Sequence, residues 1–599
     1  MYSLPEIPCS LPNINIPENL DISKVTNILA KQFQNLDQDC FVGDAVWRDT
    51  FALTGSLRTF ITSESVSTAW KATTTRAKAL ALSVTPDTAK ITRLTENISW
   101  VDVGFSFQTT GPPETTCSGN ASLIPDAQGN WKIWVLCTIL EQLSTESNVD
   151  LLHPSNNSPS IEFSTGFDPT NCYDCVVIGG GQAGLSCGGR LQALSMSYVV
   201  LDKNNEVGDS WNSRYDSMRL HTPRDFAHLP FDRTFPDSYP KFLTKNELAK
   251  GYQDWVARYG INIWQQTTVH SGKWQQEQGI WELNIQRDRE AQTIFGAHVI
   301  LANGGGLMPS SPTYDNQGSF EGSILHSSEY RSASSWADKH GIVVGTANTG
   351  HDIAEDMLAA GLASVTMVQR SPTYVVPVEH VSALMDSYFN SSISTDIADR
   401  LFHSMPLAVT RLIYQKLLHG MASQVSQPFD DLEAAGFKTE RYGDLVYSMY
   451  ERFGGHYLDV GASRKIGAGQ IKVKSDSLPI EYTKDGLKCS DGSHLKGDII
   501  VFATGFVLDM LKAVENIFGQ KIASQVEEFW GLDEEGEIKG AFKPTGHPAL
   551  WYIGGACSQA RYYSRFIALQ VKASIMGMPL PIYEDKFPLE KHTTSTTLA

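Results

Sequence analysis

The sequence predicts a multidomain chain, an α+β domain followed by α/β units built to bind dinucleotides. Three observations carry this. At 599 residues the chain is too long for one core. The stretches 173–202 and 341–371 each read as strand, glycine-bearing turn, helix and strand. Residues 1–165 instead run two helices and then a series of β-prone segments. Composition narrows the function classes. The formal charge of −18 argues against nucleic acid or an anionic membrane as the main partner. No apolar run is long enough to span a bilayer, so no membrane partner is expected. The first residues carry no basic and apolar leader, and nine irregularly spaced cysteines suggest reduced thiols, so a cytoplasmic protein is expected.

In residues 1–165, Ile22, Val25, Ile28, Leu29 and Phe33 give Asp21 to Phe33 helical spacing, and Ser63 to Thr73 reads as a second helix. Strands are expected at 79–84, 98–108, 119–124 and 131–140, with the turn 126–130 closing a hairpin. This order resembles the cone-shaped fold shared by nuclear transport factor and ketosteroid isomerase relatives. The run FVGDAVWRDTFALTGSLRTFITSESV (41–66) is similar to such domains fused to flavoenzymes. Isomerase chemistry needs a general base with a Tyr or protonated acid as oxyanion donor. Residues 1–150 hold no His and one Tyr, Tyr2. A structural, site-covering or homodimer-forming role is therefore expected. A polar linker follows at 153–171.

The first βαβ unit reads YDCVVIGGGQAGLSCGGRLQALSMSYVVLD. Cys175 to Ile178 is the strand. Gly179 permits the tight turn, Gly181 lets a pyrophosphate approach the backbone, and Gly184 lets helix and strand pack closely. The helix start at Gln182 and Ala183 offers free N–H groups and the positive dipole end. Asp202 at the end of the second strand, beside Lys203, can accept from a ribose hydroxyl. Cys172 and Cys175 form a CxxC, but Cys175 falls where a buried strand residue belongs, so a packing role is favoured over a redox one.

The segment NEVGDSWNSRYDSMRLHTPRDFAHLPF (205–231) is denser in aromatic, His and Arg residues than a connector needs. A helix over 246–259 and an antiparallel excursion with Trp281, Leu283 and Ile285 alternating inward precede Asn303 and three glycines. The second βαβ unit has its strand at 342–344, the turn Gly345–Gly350 containing Asn348 and Thr349, and a helix from His351. Ala347 stands at the middle glycine position. Arg370 and Ser371 follow its second strand where the first unit has an acid. An Arg can pair a 2′-phosphate that a carboxylate would repel. The asymmetry assigns FAD to the first unit and NADPH to the second.

Between the units lies Phe320-Glu-Gly322-Ser-Ile-Leu-His326-Ser-Ser-Glu-Tyr330, an FxGxxxHxxxY. With GDSW…RYDSMRLHTP and Val501-Phe-Ala-Thr504-Gly505-Phe506, this resembles the flavin-containing monooxygenases, in particular the branch of indole-3-pyruvate monooxygenases, over roughly 173–560. The resemblance implies that Trp211, Arg214, Leu220 and His221 lie along FAD. It further implies that Gly345, Asn348, Thr349, Gly350, Arg370 and Ser371 contact NADPH, and that Thr504 and Gly505 mark the return to the FAD domain. It also implies oxygen transfer from O2 to a small molecule through a flavin C4a-hydroperoxide, in secondary metabolism by analogy. No single catalytic base is assigned. Baeyer–Villiger relatives usually end the fingerprint differently, and Tyr330 favours the hydroxylating or heteroatom-oxidising branch. Asp202 departs from the family's more frequent Glu, and Asn303 from its Thr. The competing readings are Baeyer–Villiger oxygenation of a ketone, a disulfide reductase using Cys172 and Cys175, and a non-enzymatic flavin scaffold. The domain expectation is 1–165 cone-shaped, 172–315 FAD first part, 316–480 NADPH domain, 481–585 FAD second part and 586–599 polar tail. Both dinucleotide domains are expected to be Rossmann-like. Residues 380–460 read as a helix-rich cap, for which a packed helical core is favoured over a substrate wall.

Overall fold

A computed structural model describes residues 4–155 and 172–586. Tyr2, nearly all of the expected linker and all but the first residue of the expected tail lie outside the described residues. The N-terminal domain begins with α1 (Ile22–Gln32), opened by the Asp21 carboxylate accepting from Ser23 N–H and packed through Val25, Thr26 and Leu29. Then come β1 (Phe41–Thr50), β2 (Leu57–Ile61), α2 (Ser63–Ala77), β3 (Ala79–Thr95), β4 (Ile98–Thr109), β5 (Thr115–Pro125) and β6 (Trp131–Leu143). They form one sheet of order β2-β1-β6-β5-β4-β3, antiparallel except where β1 runs parallel to β6. The turn between β5 and β6 is as expected. Asp126 accepts from the N–H groups of Gln128 and Asn130, and Gly129 takes φ +84°. β1 and β2 were not read as strands, because β1 is buried on both faces from Ala45 onward and shows no alternation.

The first α/β unit contains β7 (Cys172–Ile178), α3 (Gln182–Ala193), β8 (Tyr198–Leu201), α4 (Asp209–Asn212), α5 (Lys245–Tyr259), β9 (Ile263–Trp264), β10 (Thr267–Gln275), β11 (Ile280–Arg287), β12 (Glu290–Leu301) and β13 (Met308–Pro309). The sheet order is β10-β11-β12-β7-β8-β9. β12 is antiparallel to β11 over its first half and parallel to β7 over its second. Trp281, Leu283 and Ile285 point into the core, as their alternation predicts. Thr244 and Glu247 close a capping box at the start of α5, and Gly260 ends it in the left-handed region.

The second unit contains β14 (Ser323–His326), β15 (His340–Val344), α6 (Asn348–Ala359) and β16 (Ser364–Val368). A cap follows: β17 (Tyr374–Pro377), α7 (Val378–Asp386), α8 (Thr395–His403), α9 (Leu407–Gln424), α10 (Gln427–Ala434), α11 (Leu445–Tyr450) and β18 (His456–Asp459), the last parallel to β17. After α12 (Ala462–Gly467) come β19 (Lys472–Lys474), the small sheet β20 (Pro479–Thr483), β21 (Gly486–Cys489) and β22 (His494–Lys496), then β23 (Ile499–Phe502) and β24 (Phe506–Val507). The five-stranded sheet β14-β23-β15-β16-β19 is parallel throughout. This corrects the expected boundary at 480/481. β23 pairs between β14 and β15, so the second unit extends through Phe502. The return to the first unit comes only after β23, at Gly505 with φ +81°, where Thr504 and Gly505 were expected to mark it.

The chain returns through α13 (Met510–Phe518), α14 (Gln520–Ala523), β25 (Leu550–Tyr552), parallel to β12, and α15 (Cys557–Ile575). α15 is buried along almost its whole length and packs on α3, α8 and β6. The N-terminal sheet and the first unit share one hydrophobic core, with Phe51 stacked on Phe566 at 5.1 Å. Buried ion pairs reinforce the contact. Arg565 reaches both Glu141 and Asp150 at 2.8 Å, Arg190 reaches Asp150 at 2.7 Å, and Arg400 reaches Glu141 at 2.6 Å. Burial alone would raise the Glu141 pKa, but Arg565 and Arg400 pull it down to about 2. Among the described residues no helix is long and apolar enough to cross a membrane.

Candidate functional site

A cavity of about 940 Å³ opens over the turn between β7 and α3. The three glycines of the turn differ in what surrounds them. Gly179 has φ +113°, and a Cβ there would lie 2.4 Å from the Ala302 carbonyl oxygen. At Gly184 a Cβ would sit 1.7 Å from the Gly179 oxygen, so this glycine is a packing residue beneath the site. At Gly181 a Cβ would meet only Ser210 Oγ, at 3.9 Å. Nothing in the protein needs that space. α3 starts at Gly181 with no side-chain cap, leaving N–H groups at Gln182 and Ala183 facing the cavity. An uncapped helix start over open space is an arrangement that suits an anion. Asp202 and Lys203 line the cavity at the end of β8, with Asp202 Oδ1 accepting from Asn204 N–H and Nδ2. Burial raises the Asp202 pKa. Trp211 and Arg214 also line it, the guanidinium 5.0 Å above the indole.

The opposite wall was not legible in the sequence. It contains Met449 and Phe453 from the cap, Phe529 and Trp530 from a loop, and Gly555 and Gln559 at the start of α15. Trp530 stacks on Tyr450 with centroids 5.8 Å apart, and its Nε1 donates to the Met449 carbonyl at 3.2 Å. The Tyr450 hydroxyl accepts from Gln559 Nε2 at 2.9 Å. The one available signal was Gly554-Gly555 before a helix, which repeats the logic of the first turn.

Leu220 and His221 do not line this cavity. His221 instead meets Asp352 of α6 at 3.1 Å, and Tyr215 donates to the other Asp352 oxygen at 2.6 Å. Burial would lower the His221 pKa, but the Asp352 hydrogen bond and charge raise it. Tyr215 and His221 thus tie the first unit to α6 of the second. Leu220 N–H is taken by the Leu243 carbonyl.

The second turn repeats the first. Gly345 has φ +119°, and a Cβ would lie 2.3 Å from the Ala503 oxygen. At Gly350 a Cβ would lie 2.4 Å from the Gly345 oxygen. α6 also starts without a side-chain cap, at Ala347. Asn348 Oδ1 accepts from Leu458 N–H at 2.8 Å, which ties the turn to β18, and Thr349 follows it in the first helical turn. Arg370 is exposed at the end of β16 and makes no hydrogen bond or ion pair among the described residues. Ser371 Oγ accepts from Arg452 Nη2 at 3.1 Å, a second guanidinium that the sequence did not single out.

The two chain crossings between the units, at 308–309 and 506–507, pair as β13 and β24. Thr504 Oγ1 donates to the Ser310 carbonyl, and Ser310 N–H donates to that of Gly505. His326 holds the ribbon. Its Nδ1 accepts from Ser328 N–H, which leaves Nε2 to donate to the Gly505 carbonyl at 3.1 Å. Tyr330, fully buried, donates to Asp356 of α6. The fingerprint therefore clamps a hinge. Cys172 and Cys175 both lie in β7, at the end remote from Gly179, and burial pushes Cys172 up to about 11 and Cys175 well above the usual thiol range.

A family model described as pyridine nucleotide-disulphide oxidoreductase matches residues 176–412, starting after both cysteines. A probable indole-3-pyruvate monooxygenase of Arabidopsis thaliana is 26% identical over 340 residues, covering 55% of this chain and 72% of that protein. An indole-3-pyruvate monooxygenase of Oryza sativa subsp. japonica is 26% identical over 59% of this chain and 82% of its own length. Among solved structures, an epsilon-caprolactone-bound cyclohexanone monooxygenase superposes with a TM-score of 0.50 at 16% identity, over 68% of this chain and 88% of that one. That likeness concerns the fold.

Proposed function

We infer, from the premise that this chain is an oxidoreductase, that it is an NADPH- and FAD-dependent monooxygenase acting on a small organic molecule with O2. The observation that carries the reading is the pair of glycine turns with uncapped helix starts, one followed by Asp202 and the other by the unpartnered Arg370. The residues fit the two cofactors. FAD would lie over Gly181, Gln182 and Ala183 with its ribose toward Asp202. NADPH would lie over Gly345, Asn348 and Gly350 with its 2′-phosphate toward Arg370 and Arg452. When bound, FAD supplies the hydride acceptance and the oxygen activation, so no protein acid or base has to.

The protein's own part is positioning and exclusion of water. His326 and the β13–β24 ribbon fix how the two nucleotide units face each other. Asp352, shared by Tyr215 and His221, ties the second helix to the first unit. Trp530, Phe529 and Phe453 give the cavity an apolar aromatic wall suited to a planar apolar substrate. An aromatic 2-oxo acid heads the candidates, since the two relatives are named for one. Ketones, for Baeyer–Villiger oxygenation, come next. The test is NADPH consumption by the purified yellow protein against 2-oxo acids, amines, sulfides and ketones under isotopically labelled O2. Label in an organic product is the expected outcome. NADPH turnover that yields only H2O2 with every panel member would refute oxygen transfer.

A further inference from the structure

We propose that the N-terminal domain positions the cavity wall, through a hairpin whose base carries Trp530 and whose tip is gripped by Arg48 and Arg58. This rests on reading the cavity as the flavin site. The chain from Trp530 to Lys539 doubles back on itself. Trp530 N–H donates to the Lys539 carbonyl, Leu532 bridges Ile538, and Asp533 N–H donates to the Glu537 carbonyl. Four residues of extended chain separate base from tip, about 13 Å. A two-stranded ribbon this short has no stability of its own. The tip carries Asp533, Glu534, Glu535 and Glu537, four acids in five residues that repel one another unless cations meet them.

Lys543 of the same segment meets Asp533 at 2.8 Å, and the cations that meet Glu535 and Glu537 come from adjacent strands of the N-terminal sheet. Arg48 of β1 grips Glu537 with two bonds of 2.6 and 2.7 Å, both side chains being no more than 1% exposed. Arg58 of β2 grips Glu535 with bonds of 2.8 and 2.6 Å. Thr59 adds its hydroxyl to Glu537 and its N–H to Glu535. Arg48 also donates to the carbonyls of His403 and Met405 in the cap and to the Tyr563 hydroxyl of α15. At the other end of the ribbon Trp530 has φ +77°, a conformation that a bulky residue keeps only when its surroundings hold it. The indole is then pinned between Tyr450 and Gly555, where a Cβ would come within 3.1 Å of it. Arg48 and Arg58 touch no cavity residue. They are positioning residues, and what they position is Trp530.

The test uses the full chain with Arg58→Gln, partly exposed and so tolerant of change, with Trp530→Ala, and with the pair combined. Two readouts serve. Hydrogen exchange of 529–540 and 449–454, measured without added flavin, reads the mechanical link. Iodide quenching of bound FAD fluorescence reads solvent access to the cavity. Arg58→Gln should speed exchange in both segments about tenfold while leaving β7 and β15 unchanged. It should also raise the quenching constant about two- to fivefold, an effect absent when Trp530 is already Ala. Unchanged exchange at 449–454 in Arg58→Gln would overturn the proposal, as would quenching effects that simply add. If exchange responds but the wild-type protein binds no FAD, the flavin reading of the cavity fails while the positioning of its wall by the N-terminal domain stands. If FAD binds but Trp530→Ala leaves quenching unchanged, the proposal alone fails.

Discussion

A side chain at Gly181 would touch nothing but Ser210 Oγ, 3.9 Å away, while one at Gly184 would collide with the Gly179 carbonyl at 1.7 Å. The same motif thus holds one glycine for ligand space and another for folding, and substitution separates them. Gly181→Val should give a chain with unchanged circular dichroism that purifies colourless, because the branched side chain fills the pyrophosphate's place. A fully yellow Gly181→Val protein would contradict the FAD assignment. At the second turn the distinguishing residue is Arg370. A charge-assisted hydrogen bond contributes about 1.5–3 kcal/mol. Arg370→Ala should therefore weaken NADPH binding roughly ten- to over a hundredfold, with NADH kinetics nearly unchanged. Equal use of both cofactors by the unaltered protein would refute the phosphate role, and a small residual preference would point to Arg452.

At the scale of elements, β7 carries the pyrophosphate turn at one end and both CxxC residues toward the other. Burial raises both thiol pKa values, which disfavours a reactive thiolate. Replacing Cys172 and Cys175 together with Ser should keep NADPH-dependent turnover within about twofold, since buried Cys acts as a small packing residue. Loss of turnover with FAD retained would revive the disulfide-reductase reading. Elements whose residues obey a local rule were legible from sequence: both glycine turns, the capped α5, the hairpin at Asp126 and the alternation of β11. Those set by tertiary context were not. β1 is buried on both faces and has no period. His221 carries no mark showing that its partner, Asp352, lies 131 residues away. Trp530 looked like any loop aromatic, because what makes it special is a hairpin gripped by a different domain.

In the whole molecule the N-terminal domain and the oxidoreductase core are held together by ion pairs of both polarities, with Glu141 and Asp150 facing arginines of the core and Arg48 and Arg58 facing its acids. The Glu141 carboxyl, near 2 when folded, returns to about 4.3 in the unfolded chain. A depressed pKa stabilises the fold above the unfolded value and stops doing so as pH falls through the folded one. Asp150 is depressed in the same direction: burial alone would raise it, but Arg565, Arg190 and Arg400 outweigh that. Acid should therefore loosen the domain contact progressively between about pH 4.3 and about 2. Hydrogen exchange in 141–150 and in α15 is the measurement. Glu141→Gln should flatten the dependence, and a transition centred near neutrality would contradict this origin.

The Arg565 and Arg190 guanidiniums are both nearly inaccessible, and the carboxylates facing them belong to residues 141–150. Removing one partner of such a pair leaves a stranded charge that costs about 3–5 kcal/mol, a large part of what keeps a domain folded at all. A gene cut at the boundary between the halves would leave on each fragment a charged and apolar face fitted to the other. A fused domain of this kind has ceased to be a module. Moved onto another oxidoreductase, it would keep this contact only if the arginines that face Glu141 and Asp150 and the acids that face Arg48 and Arg58 came too.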